Sequence, residues 1–131
     1  MVATQPCGEP LDMLSSPYEL IIVLADVMDQ HSVMLRQGSY LHRDLSTTNI
    51  LVVRGENGCV SGLLVGFGNT VKVGAGPMKD SEPVGTMPFI SIAKLLGYTV
   101  PQTKLDDLES LLYIICTFGM QGMTRAERED Y

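Results

Sequence analysis

Leu20, Leu24, Val27, Met28 and Leu35 recur at the spacing that puts them on one face of an α-helix, with His31 among them. The start is marked by Ser16-Pro17-Tyr18-Glu19, which has the form of a capping box. Ser16 can accept from a free amide of the first turn, Pro17 is pre-set at the first helical position, and Glu19 can reach back. Gly38 stands where a left-handed residue closes a helix, so the pattern predicts one from Pro17 to about Gln37. His31 reads as a histidine at the edge of the core. Beyond Gly38 the period changes. Ile50-Leu51-Val52-Val53 is a β-branched run, and Cys59-Val60 and Leu63-Leu64-Val65 follow it across Gly55, Asn57 and Gly58, which predicts a β-hairpin with its turn at Asn57-Gly58.

From Gly66 to about Phe89 glycines and prolines leave no period, as in a long functional loop, and a short helix is expected from Ile90 to Leu96. The last element opens at Lys104-Leu105-Asp106-Asp107, whose acids suit a helix N-terminus. Leu105, Leu108, Leu111, Leu112 and Ile115 make one stripe, while Tyr113, Ile114, Cys116 and Phe118 cover the other side. A helix apolar all round is expected to be a buried central strut. Residues 1–15, with Pro6, Gly8 and Pro10, read as a disordered tail, and residues 120–131 as a charged tail. The expected fold is mainly α with a small β-hairpin, organised over residues 16–119.

Composition narrows the function classes. The 131 residues hold 9 Lys+Arg against 15 Asp+Glu, for a net charge of −6, with 45 % apolar residues. That is one domain with enough apolar surface for a core. The basic residues are scattered, whereas a nucleic-acid binder needs a basic stripe to displace counterions, so no nucleic-acid partner is expected. Cys7, Cys59 and Cys116 are odd in number and widely spaced, which gives neither a disulfide framework nor a metal knuckle. No signal peptide or membrane-spanning run is read, so the expected setting is cytoplasmic or nuclear, with no membrane partner.

The stretch that carries chemistry is His42-Arg43-Asp44-Leu45-Ser46-Thr47-Thr48-Asn49, which matches the kinase catalytic-loop pattern H-R-D-L-x-x-x-N at five positions and runs straight into the apolar strand Ile50–Val53. Phosphoryl transfer needs positioning more than covalent help. In such a loop an aspartate receives the acceptor hydroxyl and an asparagine holds a metal that neutralises phosphate charge.

The sequence resembles the C-terminal lobe of eukaryotic protein kinases, and more narrowly the fungal-type protein kinase family, over about residues 16–119. Three stretches carry the likeness: Tyr18–Val53, Gly85-Thr86-Met87-Pro88-Phe89-Ile90-Ser91, and Asp106-Asp107-Leu108-Glu109-Ser110-Leu111. The resemblance implies Asp44 as the catalytic aspartate, Asn49 as the metal-holding amide and Leu51 as part of the floor under adenine. It implies Arg43 as the basic partner of the activation segment and Thr86 as the hydroxyl bonded to Asp44. His42 is implied as a structural residue, and Asp107 as a buried carboxylate bracing the loop's backbone. ATP and magnesium are the implied cofactors. Small-molecule phosphotransferases share part of the loop, but Arg43 and Asp106–Ser110 favour the protein-kinase side.

The departures shape the expectation. Where the family carries a metal-binding aspartate before Phe-Gly or Phe-Asp, this chain has Gly66-Phe67-Gly68, and a glutamate expected at the end of the substrate loop is Ala93. The ATP-covering glycine-rich loop and its lysine belong upstream of His42, and neither is read there. Gly74-Ala75-Gly76 and Lys72 lie downstream, out of order for that role. The chain is therefore expected to be a partial kinase-like C-terminal lobe without its N-terminal lobe, impaired in phosphate transfer. A pseudokinase or interaction module is the alternative, and a protein partner or the missing lobe the expected companion. Ser81 and Thr86 lie where kinases are often regulated.

Overall fold

The computed structural model describes residues 8–74, 84–97 and 102–129, with side chains up to 119 and that of Gln121. In chain order the elements are β1 (Glu9–Pro10), α1 (Pro17–Gly38), β2 (Tyr40–Leu41), β3 (Ile50–Arg54), β4 (Val60–Leu64), β5 (Val71–Lys72), α2 (Ile92–Leu95) and α3 (Lys104–Glu129). Short 3-10 turns lie at Leu11–Met13, Thr47–Asn49 and Phe67–Asn69. The chain is mainly helical, with a small antiparallel sheet in the order β1-β3-β4 and a separate two-stranded pair, β2-β5.

Ser16 caps α1 as the sequence predicts, its hydroxyl accepting from the Glu19 amide at 3.2 Å. Glu19 reaches back one residue further than a standard box, to the amide and hydroxyl of Ser15. Beside these donors, the Arg54 guanidinium above all holds the Glu19 carboxyl down from an ordinary 4.5 to about 2. The helix runs one residue past expectation. Its left-handed residue is Ser39, with φ 55°, and not Gly38. Glycine is wanted at 38 for another reason: a Cβ there would lie 2.9 Å from Cε2 of the Tyr40 ring. The buried face is Val23, Leu24, Val27 and His31, and Met28 turns outward.

The hairpin pairs Ile50 with Leu64 through Arg54 with Val60. Its loop spans residues 55–59, closed by Gly58 N donating to Gly55 O at 3.0 Å, so Asn57-Gly58 ends the turn instead of forming its centre. Gly58 takes the left-handed conformation, with φ 79°. On the outer side of β4, Asp26 accepts from Gly62 N at 2.9 Å. Gln30 donates to Gly62 O at 2.7 Å and accepts from Leu64 N at 2.8 Å. Helix and strand approach so closely that a Cβ on Gly62 would sit 3.0 Å from Val23 Cα, and nearer still to its carbonyl oxygen.

Three expectations are corrected. Residues 8–15 are not a tail: Glu9 and Pro10 pair with Val52 and Leu51, and Leu11, 1 % exposed, enters the core with Val23, Val27, Ile50, Val52 and Ile114. A two-residue strand that itself ends in a proline is too short to leave a pattern in sequence. Residues 120–129 continue α3 instead of forming a separate tail. Finally, α3 is not buried all round. Asp107, Ser110, Leu111 and Ile114 face inward, whereas Leu105 is 66 % and Leu112 54 % exposed, because the described elements pack against only one side of it. Residues 1–7, Ser81, most of the Gly66–Phe89 loop beyond Gly74, and 98–101 lie outside the described residues. Among the described residues no helix is long and apolar enough to cross a membrane.

Candidate functional site

The site is built upward from the start of α3. Thr103 and Asp106 close a capping box there: Leu105 N donates to Thr103 Oγ1, and Thr103 N donates to Asp106 Oδ2 at 2.7 Å. The next residue, Asp107, is 1 % exposed and accepts three bonds. Arg43 N donates to its Oδ1 at 3.1 Å, and His42 N donates to its Oδ2 at 3.1 Å. His31 Nε2 lies 2.8 Å from the same Oδ2. A buried carboxylate demands partners of this kind, and two come from loop backbone. They also hold Arg43 in the left-handed region, at φ 69°, a conformation that disfavours side chains with a Cβ.

Every other polar residue of Asp106-Asp107-Leu108-Glu109-Ser110 also reaches a loop. Ser91 Oγ donates to Asp106 Oδ1 at 2.5 Å, Ile92 N donates to Glu109 Oε1 at 2.9 Å, and Ser110 Oγ donates to Phe89 O at 2.5 Å. Glu109 also accepts from the Tyr113 hydroxyl, which pushes the Tyr113 pKa up. These bonds tie segment 89–92 to α3, and Ala93 contributes no charge to the tie.

Above this base, His42 uses one tautomer for both its bonds: Nε2 donates to Val65 O at 2.8 Å and Nδ1 accepts from Asp44 N at 3.2 Å. Its ring meets Phe67 edge-on at 5.3 Å. Thr86 Oγ1 donates to Asp44 Oδ1 at 2.6 Å, and Asn49 Nδ2 donates to the Asp44 carbonyl at 2.8 Å. The structure thus brings His42, Arg43, Asp44, Asn49, Thr86 and Asp107 into one connected network. Leu51 lies outside those bonds, half-buried on the face of β3 opposite Ile50 and Val52, between Pro10 and Leu63. Lys72 lies on β5 and takes no part.

The end of the site near the hairpin is different. Gly66 is left-handed, with φ 74°, and has no side chain to ligate a cation. The Asn49 amide packs directly against it. Asn69 Nδ2 reaches Asp44 Oδ2 only at 3.5 Å. Among the described residues, no three His, Cys, Asp or Glu side chains come together where they could hold a metal ion. Among the described residues Asn49 is a neutral amide and Asp44 the one carboxylate at this end, and Thr86 already engages it, so this donor set does not fit a divalent cation of magnesium's kind, which prefers free carboxylate oxygens.

Sequence reasoning read His31 as a core-edge histidine without its Asp107 partner, and did not single out Asn69 or Gln102, the last of which accepts from Arg43 Nε at 3.2 Å. For His31 a signal existed: an imidazole on an apolar helix face requires a polar partner. For Gln102 there was none. A family model described as fungal protein kinase matches residues 1–118.

Proposed function

The chain belongs to the fungal protein kinase family, and on that premise we propose that it is a kinase lobe that keeps the acceptor-positioning half of the site and lacks the metal-holding half. In the family the reaction moves a phosphoryl group from ATP to a hydroxyl, with serine or threonine as the acceptors the resemblance implies. Asp44 is the group suited to receive the acceptor proton. Thr86 fixes its carboxylate from one side, and the Asn49 bond to its carbonyl fixes its backbone. His42, Arg43 and Asp107 act as positioning residues that set the backbone from which Asp44 projects. Leu51, on the outward face of β3, is suited to support an adenine ring.

The observation that carries the reading is Gly66. With no carboxylate there, the only described anionic group near Asn49 is Asp44, which Thr86 already engages, so magnesium would lack the second carboxylate that holds it against the phosphates. Loss of an electrostatic clamp of ~4 kcal/mol slows the chemical step about a thousandfold. The test is a thermal melt of the purified chain with magnesium-ATP, with ATP and EDTA, and with neither, beside a radiolabel transfer assay on a mixed protein acceptor. The expected result is a cooperative melt that magnesium-ATP does not raise and transfer at background. A magnesium-dependent stabilisation at micromolar ATP overturns the reading.

One observation favours a second reading, a non-catalytic interaction module. Leu105, Leu108, Leu112 and Ile115 leave an apolar stripe of α3 exposed, and Ile92, Leu95 and Leu96 are exposed on and beside α2. Apolar surface of that extent is characteristic of a face that another protein or a further kinase lobe covers.

A further inference from the structure

We infer that Asn49 has taken the volume in which a metal-ligating side chain at position 66 would begin, so that an acid returned to position 66 alone does not restore the cation site. A Cβ built on Gly66 lies 2.8 Å from Asn49 Nδ2, and closer still to its Cγ and Oδ1. The three atoms nearest that point all belong to Asn49.

Neither residue is free to step aside. Asn49 Nδ2 is engaged with the Asp44 carbonyl at 2.8 Å. Its backbone is held on both sides, Asn49 N donating to Ser46 O at 3.1 Å and Val65 N donating to Asn49 O at 2.9 Å. Val65 precedes Gly66, so the bond that fixes Asn49 also fixes the glycine opposite it. Swinging the amide away strands the Asp44 carbonyl and loosens the residue whose carboxylate Thr86 holds. A side chain such as alanine's at 66 additionally meets the strain of a left-handed φ of 74°, a strain that aspartate bears more easily. Glycine and asparagine therefore form a closed pair, and the surface at this end of the site is an uncharged amide over bare backbone.

This inference rests on the proposed loss of the metal-holding half, and its test uses no nucleotide, so the two fail separately. Gly66→Ala, Asn49→Ala and the double variant are compared by urea denaturation. Gly66→Ala is expected to lower the folding equilibrium constant about 100-fold or more in the native background, from overpacking plus left-handed strain. In the Asn49→Ala background only the strain remains, and the loss falls to about 10-fold. Equal losses in both backgrounds overturn the inference. A measurement on the unaltered chain is independent of whether the variants fold: the Asn49 side-chain amide protons are expected to show a nuclear Overhauser cross-peak to the Gly66 α-protons, and its absence also overturns it. In a manganese titration followed by water proton relaxation, Gly66→Asp is expected to match the unaltered chain. Manganese binding gained by that single change counts against the closed pair.

Discussion

The two ends of the 42–49 loop are built to different standards. At its base, Asp107 is buried, all of its contacts are satisfied, and its partners arrive from α1 and from the loop itself. At the hairpin end, Gly66 and Phe67 are exposed and uncharged, and Asp44 is approached by an amide at 3.5 Å. The base serves folding as well as chemistry, because α3 docks through it. On the proposed reading the other end is where a cation-holding carboxylate stands in the family. A second carboxylate there would crowd Asp44 with like charge whenever no cation is bound, so a glycine at 66 spares the folded state that repulsion.

The sharpest way to break this contrast is Asp107→Ala. It strands His31 and two loop amides in the interior, and the expected loss is about 3–5 kcal/mol by urea denaturation, enough to threaten the fold. A loss under about 1 kcal/mol would make the base no more structural than the other end. A smaller effect is expected with pH, remote from both ends. Glu19, held at about 2 against an ordinary 4.5, stabilises the fold above pH 4.5, and that contribution is lost as pH falls through 2. The melting temperature of the unaltered chain should therefore drop more between pH 4.5 and 2 than that of Glu19→Gln. Smallest of all, Asn69→Ala should shift stability by no more than about 0.5 kcal/mol, since its bond to Asp44 is long and exposed. A large loss there would show that the hairpin end is also part of the folding framework.

What could be read from sequence was local. The Ser16 cap, the α1 face and the hairpin all rest on spacings of a few residues, and the structure holds each with a shift of one residue or a longer turn. β1 was not legible, since Glu9 and Pro10 find their partners 43 and 41 residues away and carry no alternation. The His31–Asp107 pair spans 76 residues, and nothing in either helix's own pattern joins them. The exposed stripe of α3 was misread because a periodicity reports which faces want cover, not which faces receive it. At the site, the loop was found by its motif spacing, the Asp106–Ser110 stretch by resemblance, and Gly66 by departure from it. The packing of Asn49 into the space opposite Gly66 depends on backbone positions that no spacing encodes.

The way α1 grips β4 bears on how this chain meets other chains. An outer strand ordinarily offers its neighbours a row of free amides to copy, which is the route into domain swapping and fibrils. Here Asp26 and Gln30 occupy the Gly62 and Leu64 amides and the Gly62 carbonyl, while the opposite edge is two residues ending in a proline that has no amide to give. The three-stranded sheet is thus stopped at both sides. Addition of a further strand to this sheet is thereby disfavoured on either side.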